Sequence, residues 1–203
     1  MTSPTPYPLS LRGTLDEPLS RWLWIVKVLL LIPHLIVLAF LWMGALVAWV
    51  ISIFAIAFTG VYPRGLFDYN VGVMRWSWRV SFYFTSAFGT DKYPPFSLQP
   101  MAEYPADLSV VYPAKLSRGL VWIKWWLLAI PHLIIVGVFQ GGEGNGLIGI
   151  LAIIAAVVVL FTGKYPPGIF DLVMGLNRWA MRVAAYVMLM TDEYPPFRLD
   201  VSE

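Results

Sequence analysis

The chain contains no cysteine and only two histidines, and charged residues make up just 13% of its 203 positions. The absence of cysteine excludes disulfide bonds, thiol nucleophiles and cysteine-ligated metals. A soluble domain carries about 25% charged residues, whereas 59% of this chain is hydrophobic. Such a chain has too few polar residues to form a surface exposed to water, so its composition predicts a protein of the lipid bilayer.

The motifs on which common catalytic sites depend are also missing. There is no Gly-x-Ser-x-Gly, no His-Glu-x-x-His and no carboxylate pair within an apolar segment. The glycine-rich residues 141–146 lack the Lys-Ser/Thr that would follow in a phosphate loop. We therefore expect a protein that is not an enzyme, that holds no metal or cofactor and that binds no nucleic acid.

What the chain does have is an internal repeat. The same landmarks recur in the same order, among them Ile-Pro-His-Leu-Ile at 32–36 and 130–134 and Tyr-Pro-Pro-Phe at 93–96 and 194–197. A duplication of this kind predicts two pseudo-symmetric halves that meet at a seam. The chain divides into a cytoplasmic N-terminal segment (1–18), a first membrane repeat (19–98), a cytoplasmic linker (99–115), a second membrane repeat (116–199) and a tail (200–203).

Each repeat begins with a long apolar stretch that we expect to fold into a transmembrane hairpin. A single helix over residues 22–58 would be nearly twice as long as a hydrocarbon core is thick. In the second repeat, residues 140–146 favour a turn, and alignment puts the corresponding turn of the first repeat at residues 42–44. The expected spans are residues 22–41, 45–58, 120–139 and 147–161.

An amphipathic helix is expected after each hairpin, at about residues 66–88 and 169–190. In the first of these helices Asp68, Arg75 and Arg79 share one stripe, and Trp76 lies on the opposite face. Two arginines at the centre of a membrane span would be costly. We therefore expect these helices to lie in the membrane interface.

The distribution of charge predicts the orientation. With four spans and two interfacial helices, all 14 Lys and Arg residues fall on one side of the membrane, whereas six spans would divide them. The positive-inside rule favours four spans, with both termini cytoplasmic and the two repeats parallel. The lone charge expected on the far side is Glu143.

Short alternating runs outside the spans predict a small β-sheet on the cytoplasmic face. These runs are residues 9–11, 96–98, 108–110 and 197–201. The expected fold is thus an all-α membrane protein of two parallel repeats, each a transmembrane helical hairpin plus an amphipathic interfacial helix, with a small cytoplasmic β-sheet.

Four stretches together resemble a known family. Residues 32–36, 58–68, 73–80 and 91–98 read IPHLI, FTGVYPRGLFD, VMRWSWRV and DKYPPFSL, and in combination they are similar to the bacterial domain-of-unknown-function 4389 family. The second copy departs at Pro167, which stands where the first copy has Arg64. The resemblance implies an integral membrane protein of bacteria. Together with the expected spans and charge distribution, this predicts a multi-pass protein of the bacterial inner (cytoplasmic) membrane. The resemblance implies no activity, substrate or cofactor.

His34 and His132, one in each copy, both follow a proline. One interpretation is that they satisfy backbone carbonyls that the proline frees from the helix. The alternative is that they are the axial ligands of a haem held between the halves. A lysine lies seven residues before His34 but eight before His132. One ring would therefore be rotated by about 100° unless a bulge absorbs the extra residue.

Two further sets of side chains are candidates for binding. Asp68 and Asp171 open the amphipathic helices, where an aspartate caps the helix N-terminus or pairs with an arginine about two turns further on. The candidates for binding lipid headgroups all lie on the same two helices, and they are Arg75, Arg79, Arg178, Arg182, Trp76 and Trp179.

The sequence thus favours a non-enzymatic membrane scaffold or accessory subunit that orders lipids at the cytoplasmic face. Its partners would be membrane lipids and either a larger membrane complex or a second copy of the chain. One alternative is a small transporter or channel along the seam, but a transport path needs polar residues inside the spans, and the second and fourth spans offer only Ser52. The other alternative is a haem-binding electron carrier that uses His34 and His132.

Overall fold

The computed structural model describes residues 7–141 and 146–200, which are mostly helical. Its main elements, in chain order, are β1 (Leu9–Gly13), α1 (Leu23–Thr59), α2 (Arg64–Val80), β2 (Ala106–Val110), α3 (Ile130–Gln140), α4 (Leu147–Thr162) and α5 (Pro167–Val187). Three short turns accompany them: π-helical turns at Ser81–Thr85 and Lys124–Leu128 and a 3-10 turn at Leu120–Trp122.

Helix α1 runs without interruption through residues 42–44, so the turn predicted for the first repeat is wrong. A glycine in a helix interior costs only about 1 kcal/mol relative to alanine, so Gly44 does not break an otherwise apolar helix. The 37 residues of α1 form a rod of about 55 Å. Of the described helices, α1 alone is long and apolar enough, over Val26–Thr59, to cross a membrane.

The second repeat contains the same long helix with an insertion in its middle. Helix α3 ends at Gln140 and α4 begins at Leu147, so the predicted break is present here. A Cβ atom on Gly146 would lie 2.2 Å from the carbonyl carbon of Gln140, an approach that only glycine permits. Counted between equivalent prolines and threonines, the second repeat has five extra residues, 141–145. Glu143, expected on the far side of the membrane, lies outside the described residues.

A second irregularity cancels the one-residue offset before His132. The second repeat forms a π-helical turn over Lys124–Leu128, where the first repeat continues as α-helix. A π turn accommodates one residue more than an α turn. The bulge that the sequence comparison required is therefore present, and it brings His132 to the position that His34 occupies in the first repeat.

Helices α2 and α5 lie inside the molecule. In α2, 11 of 17 residues are buried, so both of its faces are covered. One face packs against α1. The other face meets the segment after Tyr-Pro-Pro-Phe so closely that a Cβ on Gly72 would lie 2.8 Å from the Cβ of Leu98. The second copy repeats this contact, with 2.9 Å between Gly175 and Leu199.

A two-stranded antiparallel sheet joins the repeats, which confirms that a small sheet is present. Strand β1 precedes the first repeat, β2 precedes the second, and Leu11 faces Leu108 in the register. These two leucines occupy the same place in the two copies, so the pseudo-two-fold axis passes between them. The other two predicted runs, 96–98 and the described part of 197–201, are not strands.

Two tyrosines next to the strands bind across the axis. Tyr7, before the first repeat, donates to the carbonyls of Arg182 and Glu193 in the second repeat, both at 3.3 Å. Tyr104, before the second repeat, donates to the carbonyl of Arg79 in the first at 3.4 Å. Burial raises the pKa of both hydroxyls, so they remain neutral donors. Each tyrosine and the strand that follows it form an arm (residues 7–13 and 104–110), and each arm therefore contacts the opposite repeat.

Candidate functional site

The histidine of the first repeat lies in a closed aromatic cage. Trp76 donates its indole N–H to Nδ1 of His34 at 3.0 Å. Phe96 stacks on the imidazole with ring centroids 4.1 Å apart, and Tyr93 packs against it at 4.8 Å. The His34 side chain is fully buried. Because Nδ1 accepts a hydrogen bond, a neutral imidazole here carries its proton on Nε2.

The second repeat builds the same cage from equivalent residues. Trp179 donates to Nδ1 of His132 at 3.0 Å, Phe197 stacks at 4.1 Å, and Tyr194 packs at 4.7 Å. In each cage Nε2 of the histidine has no hydrogen-bond partner among the described residues. The cage is thus a property of the repeat, reproduced in spite of the offset in sequence.

This geometry changes both interpretations of the histidines. Each ring is enclosed within its own repeat, so His34 and His132 do not face each other across the seam as two axial haem ligands would. Neither ring bonds a carbonyl freed by proline. In the first repeat the hydroxyl of Tyr93 donates to the carbonyl of Leu30 at 3.1 Å, one residue after Leu29, whose carbonyl Pro33 leaves without its helical N–H partner. The proline before His132 lies in the first turn of α3, where its missing N–H leaves no gap.

A buried lysine lies near each cage. Nζ of Lys27 is 2.8 Å from the carboxylate of Asp91, donates to the carbonyl of Thr90 at 2.7 Å and lies 4.6 Å from the ring centre of Tyr83. Asp91 also accepts from the backbone N–H of Ser20. The lysine thus ties the start of α1 to the loop after α2.

The second repeat reproduces this ion pair with Lys124 and Asp192 at 2.6 Å, and Lys124 also donates to the carbonyl of Thr191. The sequence analysis did not select these lysines or their Thr-Asp partners. The signal was available, because one lysine recurs in each apolar stretch and one Thr-Asp recurs in each loop. An isolated charge in an apolar helix requires a partner.

The arginines of the first repeat bind main-chain carbonyls and one carboxylate. Arg75 donates to the carbonyls of Leu98 and Leu108, both at 2.8 Å. Arg79 is fully buried and donates to the carbonyl of Gln99 at 2.7 Å. Asp107 on β2 lies 3.2 Å from Arg75 and 3.3 Å from Arg79. Burial lowers the pKa of Arg79, yet a guanidinium stays charged in proteins.

The arginines of the second repeat make corresponding contacts with the C-terminal segment. Arg178 donates to the carbonyl of Leu199 at 2.8 Å, and the fully buried Arg182 donates to the carbonyls of Arg198 and Asp200 at 3.2 and 2.9 Å. Within residues 7–141 and 146–200, neither of these two arginines has a carboxylate oxygen within 4.0 Å. The role of Asp107 is therefore not matched in the second copy.

The surface location expected for the lipid candidates is corrected by these contacts. Arg79 and Arg182 are fully buried, and Trp76 and Trp179 are the buried donors to the two histidines. The sequence places arginine and tryptophan on opposite faces of each helix. It does not reveal that residues 97–99 and 198–200 cover the arginine face. The guanidiniums hold these residues in place, and lipid binding by the arginines stays a prediction without a contact to support it.

Asp68 and Asp171 do not cap their helices. Helix α2 begins at Arg64 and α5 at Pro167, and neither has a side-chain cap. Asp68 lies one turn inside α2 and pairs with Arg64 at 2.9 Å on the exposed surface. The predicted partner two turns further on, Arg75, is occupied elsewhere. Asp171 is exposed. A proline lies at the start of each helix, where it has no N–H that needs a partner.

Between the repeats lies a cavity of about 260 Å³ with a mixed polar and apolar lining. Its lining residues come from the π-helical turn after α2 and from the second repeat, and they are Ser81, Thr85, Ser86, Gln140, Ile148, Gly149 and Asn177. Among the described side chains, no group of three or more His, Cys, Asp or Glu is placed to hold a metal ion.

Comparison with known proteins gives one match. The model of a family described as "Domain of unknown function (DUF4389)" matches residues 21–97 and 119–198, one region in each repeat. No curated protein and no solved structure matches the chain.

Proposed function

The chain belongs to the DUF4389 family, in two tandem copies, and we propose that it is a non-catalytic membrane scaffold or accessory subunit. One observation carries this proposal. The charged and aromatic side chains that sequence analysis singled out as chemistry are mostly used inside the fold, as cages, ion pairs and carbonyl clamps. What the molecule presents outward along its long helices is apolar.

The exposed surface of α1 supports a membrane location. Buried positions such as Lys27, Leu31, His34 and Leu38 follow each other at intervals of three or four residues, and many of the positions between them are exposed and apolar. The exposed large apolar side chains of its first half include Leu29, Ile32, Leu35, Ile36 and Phe40, and those of its second half include Met43, Leu46, Val50, Ile51, Phe54 and Phe58. A continuous apolar face of this size is a binding surface for lipid or for a membrane protein.

The sheet supports one orientation. Because β1 pairs with β2, the segment before the first repeat and the segment between the repeats lie on the same side of a membrane. The basic residues Arg12 and Lys115 belong to these segments. By the positive-inside rule we place this side, with both termini, at the cytoplasmic face of the bacterial inner membrane.

Lipid ordering is better assigned to other basic residues than to those of α2 and α5. Arg21, Arg64, Arg118 and Lys164 are exposed and lie next to the ends of the long helices. Cations at these positions meet anionic headgroups at about 1 kcal/mol each. These four residues replace the buried arginines as the proposed lipid contacts.

The test is extraction from native membranes. A scaffold or accessory subunit remains in the membrane fraction and, in mild detergent, co-purifies in fixed stoichiometry with a larger assembly or with a second copy of itself. A variant with Arg21, Arg64, Arg118 and Lys164 all changed to glutamine tests the lipid contacts. It should remain folded but bind anionic vesicles more weakly. Recovery of the unaltered chain as a monomer without a partner would contradict the proposal.

The cavity of about 260 Å³ supports a second candidate, a small-solute carrier. Its serine, threonine and asparagine side chains lie between the repeats, where a two-fold transporter would place its path. Solute flux into proteoliposomes that is abolished by Asn177→Leu would favour this candidate. Proteoliposomes that show no solute flux would favour the scaffold.

A further inference from the structure

We infer that α1 lies lengthwise in the cytoplasmic leaflet and does not cross the bilayer, with the acyl chains of that leaflet covering its exposed face. This inference rests on the proposed membrane location. It replaces the two crossings that the sequence predicts for the first repeat, and it follows from where the ends of α1 are fixed.

The start of α1 is fixed beside the sheet. The N–H of Thr14, next to β1, donates to the carbonyl of Pro105 at 2.9 Å, and the N–H of Asp16 donates to Gly89 at 2.8 Å. Two residues further on from Gly89, Asp91 binds Lys27 of α1. The first turns of α1 are therefore on the same side of the membrane as β1.

The end of α1 is fixed beside the sheet as well. The carbonyl of Gly60, directly after α1, accepts a hydrogen bond of 2.8 Å from the N–H of Leu116. Leu116 follows the end of β2 by only six residues, and six extended residues reach about 20 Å. That segment is irregular and contains Lys115, and irregular chain does not cross the hydrocarbon region. Gly60 and β2 thus share one side.

Both ends of α1 are consequently on one side, because β1 and β2 are paired. A helix that crosses a bilayer once has its ends on opposite sides. Although α1 is long enough to cross the bilayer, the position of its ends shows that it does not cross once.

The second repeat obeys the same constraint. At its end, the N–H of Tyr165 donates to the carboxylate of Glu17 at 3.4 Å, and Gly163 lies against the guanidinium of Arg21. Near its start, Lys124 binds Asp192, whose neighbour Glu193 accepts from Tyr7. The start and the end of the region that contains α3 and α4 are thus also fixed next to β1, an arrangement that a hairpin of these two helices satisfies as well.

The dimensions suit one leaflet. At about 55 Å, α1 is nearly twice the thickness of a hydrocarbon core of about 30 Å. Its diameter with side chains is about 10 Å, which fits within half of that core. Three polar residues of α1, Lys27, His34 and Ser52, are buried and face the protein, and Thr59 at its end is exposed. The outward face carries no charge along the length of the helix.

The flanks of the helices identify the occupant as lipid. Trp22 and Trp122 are exposed at the starts of the two long helices, where tryptophan anchors a chain at the headgroup level. Arg21 and Arg118 precede them and are exposed. Tryptophan and arginine at the ends of an apolar face match the boundary between acyl chains and anionic headgroups.

Depth measurement by spin labelling tests this inference, and the natural lack of cysteine makes single labels simple. Leu29, Ile36, Met43 and Val50 are exposed and spaced by seven residues, so they lie on one face of α1. Each is changed to cysteine in the full chain, labelled with a nitroxide and reconstituted in phosphatidylglycerol and phosphatidylethanolamine vesicles. A label at the buried Leu38 is the control for a position shielded from lipid.

The expected result is four labels accessible to oxygen at one depth, equal to within a helical radius of about 5 Å. Depths that change by about 10 Å at each step of seven residues would mean that α1 crosses the bilayer, and they would overturn the inference. Labels as shielded as the one at Leu38 would mean that a second copy or a protein partner covers the face, which also overturns it. A chain that does not enter the vesicle fraction contradicts the proposed membrane function itself.

Discussion

In each of the two histidine cages, a single hydrogen bond from an indole N–H contributes to the stability of the fold. Each imidazole is buried, and each receives one indole N–H at 3.0 Å. Removing a donor from a buried acceptor costs about 1–3 kcal/mol, since the acceptor then has neither partner nor water. The cage is therefore a stabilising element that couples α1 to α2 and, in the second repeat, α3 to α5.

Trp76→Phe tests this coupling. It keeps an aromatic ring but removes the N–H and part of the buried ring volume, and we expect a loss of at least about 1–3 kcal/mol, seen as a fall of several degrees in the melting temperature in detergent. Trp179→Phe should behave alike, because its cage is equivalent. Trp22→Phe, at an exposed site, is the control and should leave the melting temperature unchanged. Equal melting curves for all three variants would show that the cages add no stability.

The buried lysines make a second prediction. Lys27→Met leaves Asp91 and the carbonyl of Thr90 without their partner, and we expect a loss of about 2 kcal/mol because Asp91 is partly exposed. In a double-mutant cycle with Asp91→Asn, the second change should cost little once the first is made. Additive losses in thermal unfolding would refute a direct ion pair.

At the level of elements, Gly72 of α2 and Gly175 of α5 permit a close approach to Leu98 and Leu199, because glycine has no side chain. Gly72→Ala places a methyl group 2.8 Å from Leu98, and overpacking of this kind costs about 1–3 kcal/mol. Gly65→Ala is the matched control in the same helix, since nothing lies within 4 Å of its added methyl group. It should stabilise by up to about 1 kcal/mol. The two variants should shift the unfolding midpoint in opposite directions, and a shift in the same direction would contradict the described packing.

The helical elements also show where the sequence was informative. The offset of one residue before His132 was visible by counting, and the required bulge is the π turn at Lys124–Leu128. The seven-residue turn of the second repeat was visible from its glycines. The turn assigned to residues 42–44 was inferred by alignment alone. It is absent because the first repeat lacks the five inserted residues, and one glycine cannot break an apolar helix.

The arginine site was less predictable for a physical reason. The spacing of Arg75 and Arg79 identified their shared face correctly, but the partners of that face are carbonyls of residues 97–99. Every residue has a carbonyl, so residue identity gives no signal for such a partner. Asp107, which does have a chemical signal, reaches these arginines only because the arms exchange between repeats.

At the scale of the whole molecule, the pseudo-two-fold axis relates Asp107 on β2 to Ser10 on β1. Ser10→Asp should therefore supply the second pair of arginines with the carboxylate that they lack. We expect a gain of about 1 kcal/mol, or a rise of about 2–4 °C in the melting temperature. Asp107→Ser should lower it. If both substitutions lower the melting temperature, the arms are not equivalent in the way that the register indicates.

The exchange of arms also gives the molecule its topology. Each strand precedes one repeat, while the tyrosine beside it binds the other, so the sheet ties all four ends of the two long helices to one region. Composition predicted a bilayer protein. It could not show that a helix long enough to cross has both of its ends on one side, because that follows from long-range hydrogen bonds such as Leu116 to Gly60.

The side of the membrane on which α1 ends tests the central claim most directly. Val61→Cys places a thiol at an exposed position two residues beyond α1, and Ser10→Cys marks β1. We predict that a membrane-impermeant maleimide labels both thiols in inverted inner-membrane vesicles and neither in intact spheroplasts. Labelling of Val61→Cys from the outside of spheroplasts, with Ser10→Cys still protected, would contradict the account.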